Sequence, residues 1–388
     1  MATKNIKLKF STGAKMNKWS RIIPFESSGK QKEIWICKDF KGEKRYNVEV
    51  ALGKPIDILS LKLNMIGDFS ANVAKIRNSR TALFQKDNLE QRNLCPICKR
   101  KIKVKKEILN VYGAGYIQCK NCSHYFVRET PVKKALMEFY LNDSQYQSTY
   151  ADKRTTQIRI RQVAIPKAKW VISQFERIYG RKPKAILDIG AGSGHFVHAC
   201  RKLGIPTVGA ELSKTGRNFC KENFGFELVN ENFMEKWNTF KGYEVITFWG
   251  VIEHVSYPLE MLNVASKVFS GKEGLVIAEV PRWGCFSSAV QSVFSNSIVR
   301  HLDPLGHINC FTDSSLATAF KESNFDIVAA WYFGMDAYEL VTQMSYLLKD
   351  NKVIQKMKEH IPFFQNRLDL ARLSDEMVFV GKPTQKSK

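Results

Sequence analysis

Apolar and polar positions change their spacing several times along the chain. Over residues 1–55 they alternate in short runs. Ile6-Lys7-Leu8-Lys9-Phe10 alternates strictly, and Glu33-Ile34-Trp35-Ile36-Cys37 and Tyr46-Asn47-Val48-Glu49-Val50 loosely, which predicts half-buried strands. Ser27-Ser28-Gly29 and Lys41-Gly42 carry the turn chemistry between them. Residues 57–88 move to helical spacing, with Gly67-Asp68 as a break. A short helix is expected over 131–140, opened by Pro131, and a long amphipathic one from about 155 to Tyr179, stopped by Gly180. From Lys184 onward, apolar runs of strand length alternate with helical stretches, the signature of a parallel α/β sheet. The runs are Ala185–Ile189, Val208–Glu211, Tyr243–Phe248, Gly274–Val280 and 326–332. Residues 335–373 are helical in pattern and Glu376–Val380 returns to a strand, so the helical stretch reads as an insertion. The expected division is a β-rich unit at 1–92, a cysteine-bearing unit at 93–130, a helical connector at 131–180 with Tyr140, Tyr146 and Tyr150, and an α/β domain at 181–388.

Four of the nine cysteines form one tight set: Cys95-Pro96-Ile97-Cys98 and Cys119-Lys120-Asn121-Cys122. Each pair can fold into a knuckle, and a hairpin broken at Gly113-Ala114-Gly115 would bring the two knuckles together into a tetrahedral four-thiolate site. That spacing predicts a zinc ribbon. Four protein ligands leave no open coordination position, so the zinc is expected to be structural. The remaining cysteines, Cys37, Cys200, Cys220, Cys285 and Cys310, are scattered, which suits a reducing compartment better than a disulfide framework.

Charge refines the division. The chain of 388 residues has a formal net charge of +23, of which +10 lies in residues 1–92, +6 in 93–150 and only +7 in the rest. Six of the eight residues from Lys99 to Lys106 are basic, alternating with Ile102 and Val104, as in an exposed edge strand or a phosphate-contacting one. No run approaches the roughly 18 apolar residues of a membrane span, and the first residues lack the apolar core of a secretory signal, so a cytoplasmic protein is expected.

The stretch richest in chemistry is Leu187-Asp188-Ile189-Gly190-Ala191-Gly192-Ser193-Gly194-His195-Phe196. Glycines at a strand-to-helix turn let the backbone approach a ligand and present amides at a helix N-terminus. A dinucleotide fingerprint requires glycine three positions after Gly192, where His195 stands, so the loop suits a ligand without a pyrophosphate. Glu211 closes the second strand, where a carboxylate can accept ribose hydroxyls. Asn230-Glu231-Asn232-Phe233 offers a polar group and an apolar face for an adenine, and Trp249-Gly250-Val251-Ile252-Glu253-His254 follows the next strand.

Together these segments resemble class I S-adenosylmethionine-dependent methyltransferases. Asp188–Gly194 is like motif I, Glu211 like the ribose acid, and Ile252-Glu253-His254-Val255-Ser256-Tyr257-Pro258 like the "LEHV-x-x-P" signature. More closely, the chain is similar to bacterial and archaeal methyltransferases with an N-terminal zinc ribbon, many of them associated with surface-polysaccharide or sugar-nucleotide modification. The resemblance spans about 93–383. It includes Tyr116-Ile117-Gln118-Cys119, Thr130-Pro131, Phe139-Tyr140 and His307-Ile308-Asn309-Cys310-Phe311-Thr312-Asp313-Ser314-Ser315-Leu316, and leaves out residues 1–90. It implies a Rossmann-like α/β methyltransferase sheet with a helical insertion, preceded by the ribbon and the small β-rich domain. It further implies S-adenosylmethionine contacts at Asp188, Gly190, Ala191, Gly192, Gly194, Glu211, Leu212, Asn232, Phe233 and Trp249, and zinc on Cys95, Cys98, Cys119 and Cys122.

The reaction so implied is an in-line methyl displacement onto oxygen or carbon, in which positioning dominates and a base is needed if the acceptor keeps its proton. Glu253 and His254 are the first candidates for acceptor positioning or deprotonation, His307 the second, and His301 ranks below them. Related enzymes that hold a divalent metal here have an acid three residues before the Glu-His pair. Gly250 stands there instead, which argues against a catalytic metal. The acceptor expected is a small molecule such as a sugar or sugar nucleotide. The alternative is RNA gripped by the ribbon and the basic N-terminal region.

Overall fold

The computed structural model describes residues 6–9, 18–23, 30–39, 42–62, 69–85, 89–103, 106–142, 153–298, 300–350 and 352–385. The expected turn at Ser27-Ser28-Gly29, Lys41, the Gly67-Asp68 break and the tyrosines 146 and 150 lie outside these residues.

Strands β1 (Ile6–Lys9), β2 (Lys18–Ile23), β3 (Lys30–Asp39) and β4 (Gly42–Leu52) pair antiparallel in order, as the alternation predicts. Next come β5 (Leu89–Gln91), the ribbon strands β6 (Leu109–Val111), β7 (Ala114–Gln118) and β8 (Tyr125–Val127), and β9 (Glu129–Pro131), which pairs with β5. The α/β part contributes β10 (Ile186–Ile189), β11 (Thr207–Ala210), β12 (Val245–Trp249), β13 (Leu275–Pro281), the two-residue β14 (Asn309–Cys310), β15 (Phe325–Phe333) and β16 (Glu376–Pro383).

One ten-stranded sheet runs β1-β2-β3-β4-β15-β16-β13-β12-β10-β11. Its centre is parallel, and every residue of β10 is buried, as expected of a strand covered on both faces. The order reverses between β10 and β12, and the crevice at such a reversal, beyond the carboxyl ends of the strands, is where ligands bind in open α/β sheets. β16 returns antiparallel to β13 and β15 antiparallel to β16. The stretch between β11 and β12 supplies no third strand, only a single parallel bridge from Val229 to Ala210. The helices Asp336–Leu348, Lys352–Met357 and Ile361–Leu370 form the insertion between β15 and β16. This is the Rossmann-like class I arrangement that the resemblance implied.

The structure joins what the sequence divided. The described residues of 1–92 form no separate sheet, because β4 pairs in parallel with β15 from Glu49↔Ala329 to Leu52↔Tyr332. Trp35, fully buried, packs on Phe379 with ring centroids 5.0 Å apart, and Trp19 Nε1 donates to Thr318 Oγ1 at 3.1 Å. One continuous core therefore serves both segments. The ribbon is joined as well, since β14, from deep in the α/β part, pairs with β8.

Other boundaries move slightly. The helix after β9 runs Lys133–Asn142, because Pro131 is taken up in the β9 pairing. The long helix before β10 is continuous in its helical turns but contains a π-helical stretch over Arg159–Ala164 before its α-helical body, Ile165–Tyr179, and Gly180 ends it at φ 70°. The described part of Lys99–Lys106 is not an edge strand. It makes only one bridge, Leu94 to Lys101. No described helix is long and apolar enough to cross a membrane.

Candidate active site

The glycine loop leaves β10 at the crevice. Gly190, Gly192 and Gly194 all have positive φ, at 68°, 56° and 77°, a backbone that side chains rarely allow. Gly192 N–H donates to Glu211 Oε2 at 2.7 Å and Ser213 N–H to Oε1 at 2.6 Å, so the carboxylate that ends β11 also ties the loop in place. Gly216, which the sequence reading passed over, lets the next helix approach. A Cβ there would lie 2.5 Å from the Gly192 carbonyl oxygen. Asp188 is buried on β10, and its Oδ1 accepts from Thr247 Oγ1 at 2.7 Å. Burial pushes its carboxyl up to about 7. Leu212, beside Glu211, is 60% exposed and presents an apolar face at the mouth of the loop, while Ala191 lies within it.

The other three residues expected around the cofactor are differently placed. Phe233 turns inward, 3% exposed, and packs on Phe240 and Phe248, so it supports the loop from the core and has no free face. Asn232 uses its own side chain locally, accepting from Met234 N–H and donating to Glu235. Trp249 is sandwiched, with Phe196 at 5.2 Å between centroids and Lys167 Nζ 4.4 Å from its ring. Lys167, buried on the Ile165–Tyr179 helix, also pairs with Glu279 at 2.7 Å. A lysine within an otherwise apolar helix face, in line with Val171 and Gln174, was the available signal for it.

Across the crevice from the loop, Glu253, His254 and His307 come together, with one donor atom from each lying within 4.8 Å of the others. Glu253 is 2% exposed, and burial raises its carboxyl well above the ordinary range. Burial also lowers His254 to about 3 and His307 to about 4, so both imidazoles are neutral. His307 Nδ1 donates to the His301 carbonyl at 2.6 Å, which fixes the tautomer and leaves the Nε2 lone pair to act. His301 itself stands behind, against Ser288 and Cys285. One carboxyl and two neutral imidazoles form a donor set that also suits a divalent cation, although the sequence argued against one. Gly250 lines this cluster at φ 65°, and a Cβ there would be 3.4 Å from Glu253 Oε1.

The four cysteines converge as their spacing predicted. Cys95 and Cys122 sulfurs are 3.6 Å apart, as are those of Cys98 and Cys119. A tetrahedron with metal–sulfur bonds of about 2.3 Å has edges of about 3.8 Å, so this cradle fits one zinc ion. In each knuckle the residue after the second cysteine, Lys99 or Ser123, turns to positive φ, at 55° and 61°. The ribbon also reaches the crevice. His124 is fully buried, with Nδ1 3.2 Å from Ser315 Oγ and Nε2 3.2 Å from Asn309 Oδ1. Asn309 in turn donates to the carbonyls of Glu253 and Val255 at 3.2 and 2.7 Å. Lys99 reaches Glu260 at 3.4 Å and the Tyr257 ring at 5.0 Å.

A methyltransferase-domain family matches residues 161–330, which hold the glycine loop, the Glu253–His254 segment and most of β15. No protein of curated function matches the sequence. Among solved structures, an S-adenosylmethionine-dependent methyltransferase from Archaeoglobus fulgidus is 19% identical over 55% of this chain and 94% of its own, with a TM-score of 0.36. The magnesium protoporphyrin IX methyltransferase of Synechocystis, with bound S-adenosylhomocysteine, is 9% identical over 65% of this chain and 100% of its own, at 0.41. The plantazolicin methyltransferase BamL is 14% identical over 65% and 95%, at 0.43. The family match covers the segment that forms the loop, the strand-end acid and the crevice. Residues 161–330 carry a methyltransferase domain.

Proposed function

We propose that this enzyme methylates an oxygen or carbon of a small acceptor, a sugar, sugar nucleotide or related metabolite, bound against Glu253, His254 and His307. The glycine loop and Glu211 would hold S-adenosylmethionine, with Asp188 near its charged end and Leu212 over its base. The cofactor supplies an electrophilic methyl group when bound. The protein's part is to align the acceptor and take its proton. His307 is the base this arrangement favours, because its Nδ1 proton is held by the His301 carbonyl and its Nε2 is free to accept. Glu253, kept neutral by burial, would donate a hydrogen bond to the acceptor rather than receive its proton.

The observation that carries the small-acceptor reading is the enclosure of these groups, since Glu253 is 2% exposed and His254 and His307 are half-buried. Lys99, one of the basic residues that the RNA alternative would use, also contacts Glu260 and Tyr257 within the chain. We further propose that Cys95, Cys98, Cys119 and Cys122 bind one structural zinc. The test is methyl transfer from labelled cofactor, with sugar nucleotides and bulk RNA assayed in parallel. Incorporation into the sugar pool alone is expected. Incorporation into RNA alone would overturn the reading.

A further inference from the structure

β4 runs parallel to β15, and β15 runs in the same direction as β13, because each is antiparallel to β16. The carboxyl end of β4 therefore arrives at the same edge of the sheet as the glycine loop, Trp249 and Glu279. There Gly53 is pinned, with its N–H donating to the Tyr332 carbonyl at 2.7 Å and its own carbonyl accepting from Trp331 Nε1 at 2.8 Å. This fixes where the next residue, Lys54, begins.

Lys54 is 8% exposed, with its ammonium 4.6 Å from the Phe333 ring centroid and 5.7 Å from that of Trp331. The two acids that act on it electrostatically are already used: Glu279 pairs with Lys167 at 2.7 Å, and Glu376 with Arg300 at 3.1 Å. Among the described residues no carboxylate stands within ion-pair distance of Lys54. The same two acids influence Glu253 electrostatically as well. Lys167 adds a second positive charge near Lys54.

Burial without a counter-ion disfavours the charged form of Lys54 and pushes its pKa well below the ordinary value, and methionine would fill the same space at no such cost. A return on that cost comes only from something bound. We propose that Lys54 recognises an oxyanion, a phosphate or a carboxylate, carried by the methyl acceptor. The proposal rests on the reading of this edge as the acceptor site. It gives residues 1–92 a place in that site, with Lys54 as a specificity residue that binds the acceptor away from the reacting atom. The rings of Phe333 and Trp331 hold the stem, and the missing counter-charge is the substrate's own.

The test uses the full chain, with and without S-adenosylhomocysteine, titrated calorimetrically with inorganic phosphate and with acetate. The parent protein is expected to bind at least one of them. Lys54→Met should weaken that binding at least about tenfold, the loss of one charge-assisted hydrogen bond, while Lys54→Arg should keep it within about threefold. The melting temperature of Lys54→Met should equal or exceed the parent's. Preference for phosphate would assign phosphorylated acceptors, and preference for acetate would assign carboxylates; both outcomes support the proposal. An absence of anion binding in the parent, or binding unchanged by Lys54→Met, would overturn it. So would a lower melting temperature with intact anion binding. A failure of S-adenosylhomocysteine to bind strikes the methyltransferase reading alone, because the anion titration is also run without it.

Discussion

On the β10–β11 side of the crevice, Asp188, the glycine loop and Glu211 come from one short stretch of chain, and Glu211 is tied to the loop through the Gly192 and Ser213 amides. On the facing side, Glu253 and His254 follow β12, His307 precedes β14, Lys54 follows β4, and His124 of the ribbon steadies Asn309 behind them. The first side is local and self-supporting. The second is assembled from four distant segments and stands only while the ribbon and the N-terminal strands are docked. A reagent or mutation that loosens a docked segment should therefore spare one side and disable the other.

The largest expected effect comes from the ribbon. Stripping the proposed zinc with a chelator, or Cys119→Ser, should unfold the knuckles and abolish methyl transfer while leaving S-adenosylhomocysteine affinity within about threefold, since structural zinc sites supply folding energy directly. Metal analysis of the parent should return about one zinc per chain, as four thiolates around one ion require. Equal loss of cofactor and acceptor binding would erase the distinction between the two sides.

Trp35→Ala should cost about 3–5 kcal/mol by leaving a cavity against Phe379. Because one core serves both segments, chemical denaturation should still show a single transition. A separate early transition would mean that the N-terminal strands are an independent unit.

Glu211→Ala should weaken cofactor binding by about 1.5–3 kcal/mol, the range for hydrogen bonds to a charged group. It also frees Gly192 and Ser213 N–H groups, so the loop should exchange its amide hydrogens faster. Unchanged cofactor affinity would remove the ribose assignment.

A further effect is a pH dependence. The Asp188 carboxyl is raised to about 7 from an ordinary value of 3.8, so between these pH values the folded cofactor-free protein holds a proton that the unfolded chain has lost. Stability should thus fall as pH rises from about 4 to about 7, by at most about 1.4 kcal/mol per pH unit from this group. Asp188→Asn should flatten that slope in urea melts at pH 5 and pH 7. An identical slope in both proteins would mean that Asp188 is ionised throughout.

The same contrast explains what could be read from the sequence. Contiguous chemistry was legible: the loop from Asp188 to Gly194, the acid at Glu211 and the paired cysteines all depend on spacing along the chain. The alternating strands of the N-terminal segment were legible too, but not the strand they would pair with, because the β4–β15 register is set by apolar faces meeting across the core. Phe233 and Trp249 show the limit of spacing, because an aromatic residue in that position looks the same in sequence whether it faces a pocket or a core. The local bonds of the Asn232 side chain to Met234 and Glu235 were likewise not legible from its spacing. Glu253, His254 and His307 were named from two separate segments, but only the fold brings them within 4.8 Å. Lys54 carried no signal at all, because nothing local distinguishes a lysine at the end of a strand from any other in a basic region.

The pairing of β4 with β15 also bears on how the protein is made. Trp19 and its hydrogen-bond partner Thr318 are 299 positions apart, so the segment synthesised first must wait for one synthesised near the end. At about 5–20 residues per second, that wait is roughly 15–60 s, during which Trp19 lacks Thr318, Trp35 lacks Phe379 and the edge of β4 lacks β15. The newborn chain spends most of its time on the ribosome with an unpaired strand and two uncovered tryptophans, a natural client for whatever chaperone meets it there.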